Sequence, residues 1–302
     1  MTTNIQWTDE TWNPIVGCSR ISPGCSKCYA ATAAASARLQ QFPQYQKVKD
    51  WDGTVEFVKN QLLKPLSWKK PKKIFVCSMS DLFHENVPDE WIDKVMAVAA
   101  ICPQHTFQIL TKRPERALEY FTSENRFACI DYQAYEILRA DRAPYYREHP
   151  VVKLPLKNVW IGTTVENQAM ANKRIPLLLQ IPAVIRWLSV EPLLGEIDLR
   201  EAGMIQRLIS DNYEWENISE EISWVVVGGE SGSGARPCNL AWMRSLARQC
   251  QDAEVPAFVK QLGSRPFYLK CGEKYPYKIS DKKGGVITDF PEDLQIRQFP
   301  KL

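Results

Sequence analysis

Along the chain, short apolar runs rich in β-branched and aromatic residues alternate with stretches whose apolar positions recur every three to four residues. The runs fall at residues 11–16, 73–77, 106–110, 158–162, 184–190, 223–227 and 257–260. Several are apolar without alternation, as strands buried on both faces are. Helical spacing marks 29–39, 89–101, 114–121, 168–180 and 240–252. Strand and helix in repeated alternation predict an α/β fold built on a parallel sheet, and seven such units predict a partial or full (β/α) TIM-type barrel. An open doubly wound sheet is the alternative. The barrel is expected over residues 1–263, with loop insertions near 40–70, 123–156 and 195–221, and an irregular, basic and aromatic C-terminal extension over 264–302 packed on it.

In either architecture, function belongs at the carboxyl ends of the strands. The sequence there is polar: Ser78, Ser80, Asp81 and His84 after the second run, Thr111, Lys112 and Arg113 after the third, Thr163, Thr164, Glu166 and Asn167 after the fourth. Ser189 and Glu191 follow the fifth, Gly228, Gly229 and Glu230 through Arg236 the sixth, and Lys260 and Gln261 the seventh. Glu166, Glu191 and Glu230 follow apolar strands, where a stranded carboxylate is costly unless paired or solvated, and are the candidates for catalytic roles. Each position has a plainer reading beside the functional one. Lys112 and Arg113 precede Pro114 and suit a solvated helix start, His84 suits a surface or core histidine, and Gly228 and Gly229 suit a tight turn. Cys77, ending an apolar run, reads as core, with a fourth metal ligand as the alternative.

Cysteine usage changes the picture most. Cys18, Cys25 and Cys28 fall within eleven residues of a Gly-, Pro- and Ser-containing loop after the first run. The amino terminus carries neither a basic stretch nor an apolar one of the secretory kind, so a cytoplasmic, reducing setting is expected and disulfides are not. Nine cysteines in 302 residues are odd in number and far from disulfide density. Three thiolates suit a metal with one coordination position left open, either zinc completed by Cys77 or Cys271, or a cluster of four irons and four sulfides. Spacing alone leaves that choice open.

The segments Trp12-Asn-Pro-Ile-Val-Gly-Cys18 to Cys28-Tyr-Ala30, Ser80-Asp-Leu-Phe83, Thr111-Lys-Arg-Pro114, Trp160-Ile-Gly-Thr-Thr-Val-Glu-Asn167, Ser189-Val-Glu-Pro192 and Gly228-Gly-Glu-Ser-Gly232 together resemble a phage-associated, three-cysteine family of radical SAM-like proteins. The likeness covers nearly the whole chain. The wider superfamily usually has three and then two residues between its cysteines, whereas six and two stand here. The resemblance implies a radical SAM-like barrel, a [4Fe-4S] cluster held by Cys18, Cys25 and Cys28, and S-adenosylmethionine bound at the open iron. It implies cofactor contacts from Ser78, Ser80, Asp81, Lys112, Arg113, Glu166, Asn167, Gly228, Gly229 and Glu230, and an external electron donor. The superfamily's Gly-Gly-Glu often follows its second strand, but this one follows the sixth run, so the role does not transfer with the spelling; here Gly228 and Gly229 are expected to allow close backbone approach to adenine or substrate, with Glu230 as a polar contact.

Charge bears on the substrate. Hydrophobic residues make up 45% of the chain and charged residues 24%, and no apolar run approaches the length of a membrane span. The net charge of +3 is matched by the excess in 264–302, which carries eight Lys and Arg against five Asp and Glu. Aromatic and basic residues mix in 51–73, 132–147 and 265–283, as they do where cations meet phosphates and rings stack on bases. The expected function is hydrogen abstraction that rearranges or modifies a modified pyrimidine in phage or bacterial DNA, in the host cytoplasm if phage-encoded. The alternatives are a radical SAM repair lyase or small-metabolite enzyme, and a non-enzymatic, zinc-stabilised nucleic-acid-binding module.

Overall fold

The computed structural model describes residues 3–140, 152–203, 206–209, 212–215 and 222–301. Its strands are β1 (Glu10–Trp12), β2 (Ile15–Val16), β3 (Glu56–Phe57), β4 (Lys73–Val76), β5 (Thr106–Thr111), β6 (Val159–Thr164), β7 (Ile185–Val190), β8 (Gln206–Ile209), β9 (Asn212–Trp215), β10 (Trp224–Gly228), β11 (Cys238–Asn239), β12 (Ala257–Gln261), β13 (Pro266–Lys270) and β14 (Glu273–Pro276). Seven form one parallel sheet in the order β1-β4-β5-β6-β7-β10-β12. The order never reverses, whereas a doubly wound sheet requires a reversal. This is a mixed α/β fold with helices flanking the sheet, compatible with a partial (β/α) barrel. Among the described residues no helix is long and apolar enough to cross a membrane.

The chain divides into two compact units. The first comprises Met1–Ile21, Cys28–Gly162 and Gln180–Val184. Here β1 pairs with β4 and β4 with β5, both parallel. Where one strand was expected over 11–16 there are two. Pro14 has no N–H for a ladder, and beyond it β2 leaves the sheet to pair antiparallel with β3. Helix Asp89–Ile101 buries Ile92, Val95, Met96, Ala97, Val98 and Ala99. Its buried Asp93 accepts from Tyr120 Oη at 2.8 Å and Arg126 Nη1 at 2.9 Å. Arg126 begins helix Arg126–Ala140, which occupies part of the expected 123–156 insertion. The Arg142 to Arg147 portion of the basic and aromatic mixture lies outside the described residues. Helix Tyr29–Ala34 stops short of residue 39 because the Ser36 hydroxyl and the Gln40 amide take the carbonyls of Ala33 and Ala34.

The second unit comprises Ser22–Lys27, Thr163–Leu179 and Ile185–Leu302. Here β10 pairs parallel with both β7 and β12. β8 and β9 form an antiparallel hairpin within the 195–221 insertion. The segment expected to be irregular is partly ordered sheet. β13 pairs with β11 and, antiparallel, with β14. Further on, Arg297 bridges antiparallel to Phe258 of β12, and the Phe299 ring stacks on Trp224 at 5.4 Å.

Candidate functional site

In the first unit the cysteine loop leaves β2 through Gly17, whose φ of +94° favours glycine and whose added Cβ would lie 2.2 Å from the Thr54 carbonyl oxygen. Cys18 and Cys28 both pack against one apolar cluster that includes Val16, Ala30, Val48 and Trp51. Cys28 is also the residue preceding helix Tyr29–Ala34. Burial pushes the Cys18 thiol up to about 12, with Asp81 adding to the effect and Arg113 opposing it. Arg113 Nη1 donates to Cys18 Sγ at 3.6 Å, Nη2 to Ser19 Oγ at 2.8 Å, Nη1 to Asp81 at 3.2 Å and Nε to Glu85 at 2.6 Å.

Asp81 is the hub beneath that arginine. Its buried carboxylate also accepts from Thr111 Oγ1 at 2.7 Å and from the backbone N–H groups of Lys112 at 2.9 Å and Phe83 at 3.1 Å. The Ser78 hydroxyl donates to Asn13 and the Ser80 hydroxyl to the Ile15 carbonyl. His84 is fully buried, with Nδ1 accepting from the Asn86 N–H at 3.1 Å and Nε2 lying 2.9 Å from Ser19 Oγ. With Nδ1 an acceptor, the neutral ring carries its proton on Nε2 and donates to the serine beside Cys18. The first unit therefore brings Arg113 and Asp81 to Cys18, with the Lys112 backbone on Asp81, while the Ser78 and Ser80 hydroxyls bond to Asn13 and to the Ile15 carbonyl. Arg113 reaches the cysteine itself, a contact that its place in the sequence did not signal.

In the second unit, residues 22–27 of the same loop are clamped from three sides. The Gly24 N–H donates to Glu166 Oε1 at 2.9 Å, Arg236 Nη1 donates to the Pro23 carbonyl at 2.9 Å, and Lys27 Nζ donates to the Gly234 carbonyl. Glu166 has no exposed surface, and its Oε2 accepts from Arg174 at 2.9 Å. Glu230 accepts two hydrogen bonds from the Arg236 guanidinium and one from its N–H. Burial raises the Glu230 pKa, but these bonds outweigh it and hold the carboxyl below its ordinary value. Cys25 is buried in the turn Pro23–Cys25, 3.7 Å from Ser22 Oγ. Asn167 accepts from the Met170 N–H and caps helix Gln168–Gln180. Glu191 accepts two hydrogen bonds from Lys260, at 2.9 and 3.1 Å. A Cβ at Gly228 would meet the Glu191 carboxylate at 2.6 Å, and one at Gly229 would meet the Leu262 carbonyl oxygen at 2.3 Å. Both glycines are therefore approached closely by protein. Arg174 and Lys27, which complete this clamp, had no distinguishing sequence signal.

None of the nine cysteines is in a disulfide. Among the described residues no group of three or more His, Cys, Asp or Glu side chains is arranged to hold a metal ion. The donor chemistry of the loop still suits a soft metal or an iron-sulfur cluster: three thiols on one short segment, with a guanidinium donating to the first sulfur.

Fold and sites together define an α/β protein with a sequentially ordered parallel sheet and polar, ion-paired residues at its carboxyl strand ends. The chain belongs to the family described as "Protein of unknown function (DUF5131)", whose model matches residues 2–283. No curated protein and no solved structure matches it.

Proposed function

We propose that the chain is a radical SAM enzyme that modifies a nucleic-acid base, most specifically a modified pyrimidine of phage or bacterial DNA. The observation that carries this reading is the treatment of the cysteine loop: three thiols in no disulfide, on a loop whose 22–27 portion is fixed through its backbone by Glu166 and Arg236 and through its own Lys27 to the Gly234 carbonyl. Cys18, Cys25 and Cys28 would hold a [4Fe-4S] cluster. Bound there, the cluster would supply the one-electron reduction, drawn from an external donor, by which S-adenosylmethionine would be cleaved at its C–S bond to methionine and a hydrogen-abstracting 5′-deoxyadenosyl radical.

The chain's own residues bind and orient around that chemistry. Arg113 donates to Cys18 and is held by Asp81 and Glu85, so it fixes the first thiol and favours its anionic form. Lys112 and Ser78, on the segments that Asp81 and Asn13 organise, are proposed to contact the methionine end of S-adenosylmethionine. Glu191 with Lys260, at the ends of β7 and β12, forms a half-buried polar pair proposed to face the substrate.

Anaerobic purification tests the reading. The expected protein is brown, holds about four irons per chain, and releases 5′-deoxyadenosine when given S-adenosylmethionine and a reductant, with Cys25→Ala abolishing release. A colourless protein holding one zinc would overturn it.

A further inference from the structure

The hairpin after β12 carries a surface that neither the cysteine loop nor its clamp uses. Between Ser264 and Val286 there are six cations, Arg265, Lys270, Lys274, Lys278, Lys282 and Lys283, against two acids, Glu273 and Asp281. All six cations are exposed. Asp281 is turned inward on its own loop, accepting from the backbone N–H groups of Lys283 at 3.0 Å, Gly285 at 2.8 Å and Val286 at 3.4 Å. That loop presents Lys282 and Lys283 outward and is tied to the start of the hairpin, because Ser264 Oγ donates to the Lys282 carbonyl at 2.5 Å.

Rings stand among these charges. Tyr268 of β13 lies directly opposite Tyr275 of β14, with centroids 5.8 Å apart and planes 20° from parallel. Strand alternation puts Phe267 and Leu269 on the opposite face. On that face Phe267 is covered by the edge of Trp242, at 6.1 Å, and by the Lys274 ammonium, at 3.9 Å. Tyr268 and Tyr275 are each 38% exposed. Clustered exposed apolar surface marks interaction sites, and a cationic surround selects a polyanion. Among polyanions, nucleic acid brings a π face with every charge, so it alone uses both the lysines and the rings.

We propose that the β13–β14 hairpin and the 281–286 loop form a binding surface for single-stranded nucleic acid, with phosphates on the exposed lysines and a base stacked on the Tyr268–Tyr275 pair. This deepens the nucleic-acid reading above and rests on it for the natural substrate. The test uses the full chain and a labelled single-stranded DNA of about 16 nucleotides, followed by fluorescence anisotropy across a salt series. Changing Lys270, Lys274, Lys282 and Lys283 together to Gln should weaken binding at least about tenfold at 0.1 M salt, and flatten the log–log salt slope by about 0.7 for each phosphate no longer neutralised. Tyr268→Leu, which keeps apolar bulk on the hairpin, should weaken binding about tenfold and leave the slope unchanged. Unaltered binding by both variants, or equally tight binding to phosphatidylserine vesicles or polyglutamate, overturns the proposal. The assay needs neither iron nor S-adenosylmethionine. A zinc-containing, radical-inactive chain that binds DNA through these residues would therefore sink the enzyme reading alone, and cysteine-dependent 5′-deoxyadenosine release with unaltered variants would sink the surface alone.

Discussion

Glu166 divides its carboxylate between a backbone and a cation: Oε1 takes the Gly24 N–H and Oε2 takes Arg174, which is 2% exposed. A carboxylate committed in this way anchors a loop rather than moving a proton. Glu166→Ala would leave the arginine buried with its charge unpaired, which costs about 3–5 kcal/mol. The variant should show a correspondingly lower urea midpoint, and Arg174→Met should show a comparable loss. Combined as Glu166→Leu with Arg174→Met, the two should cost clearly less than their sum, because no uncompensated charge remains. If Glu166→Ala unfolds no more readily than the parent chain, the anchoring role is wrong and a solvated, catalytic Glu166 regains its place. Gly24 belongs to the same contact, since a Cβ there would lie 3.1 Å from the Glu166 carboxylate.

The ends of β10 and β12 are joined through glycines whose reasons differ. At Gly229 a side chain would enter the backbone of Leu262, whose carbonyl carbon would be 2.8 Å from the Cβ. Gly263, at φ +87°, would be crowded by Gly229 in turn, and Gly284, at φ +61°, by the carbonyl of Gly263. Gly232, three residues after Gly229, has nothing within 4 Å of its added Cβ, and only its φ of +106° favours glycine. Gly229→Ala should therefore destabilise through overpacking, by about 1–3 kcal/mol or more, and by more than Gly232→Ala, with thermal midpoints of the two variants giving the comparison. None of this was legible in the spelling Gly-Gly-Glu-Ser-Gly, which reads equally well as a ligand cradle or a turn. The strands themselves were legible, because a run such as 224–228 is apolar on both faces and its observed burial is complete. β6 reaches Thr164 rather than residue 162 because two threonines are buried with it, and an apolar criterion stops before them. The break at Asn13 and Pro14 was hidden by buried Ile15 and Val16 continuing the apolar run.

At the scale of the whole chain, ion-paired acids and the buried His84 make stability respond to pH. The motif-bearing residues stood out in the sequence by their neighbours, but their pairings did not: Arg174 backs Glu166 from 8 positions on, Arg236 reaches the Pro23 carbonyl across 213 positions, and Lys27 of the loop reaches the Gly234 carbonyl across 207. Those partnerships have a titration signature. His84 is held below its ordinary 6.5 by burial and next by Arg113, against Glu85 and Asp81, which favour the charged ring. The unfolded chain therefore takes up that proton first as pH falls. Stability due to the neutral ring is complete above about pH 6.5 and declines below it until the folded ring also protonates. Asp293 is held low by hydrogen bonds from Arg244. At Glu85, Asp89, Glu230 and Asp281 burial acts upward but is outweighed by arginine or backbone donors, so these carboxyls too lie below their ordinary values of 3.8 to 4.5. Their contribution is present above those ordinary values and is lost progressively as pH falls below them and through the lower folded ones. The melting temperature of the full chain should thus fall in two stages, a small one beginning near pH 6.5 and a larger one beginning near pH 4.5. His84→Gln should remove the first stage and leave the second. If the first stage persists in that variant, another group takes up the proton and the neutral, Ser19-bonded form of His84 is not what the folded chain protects.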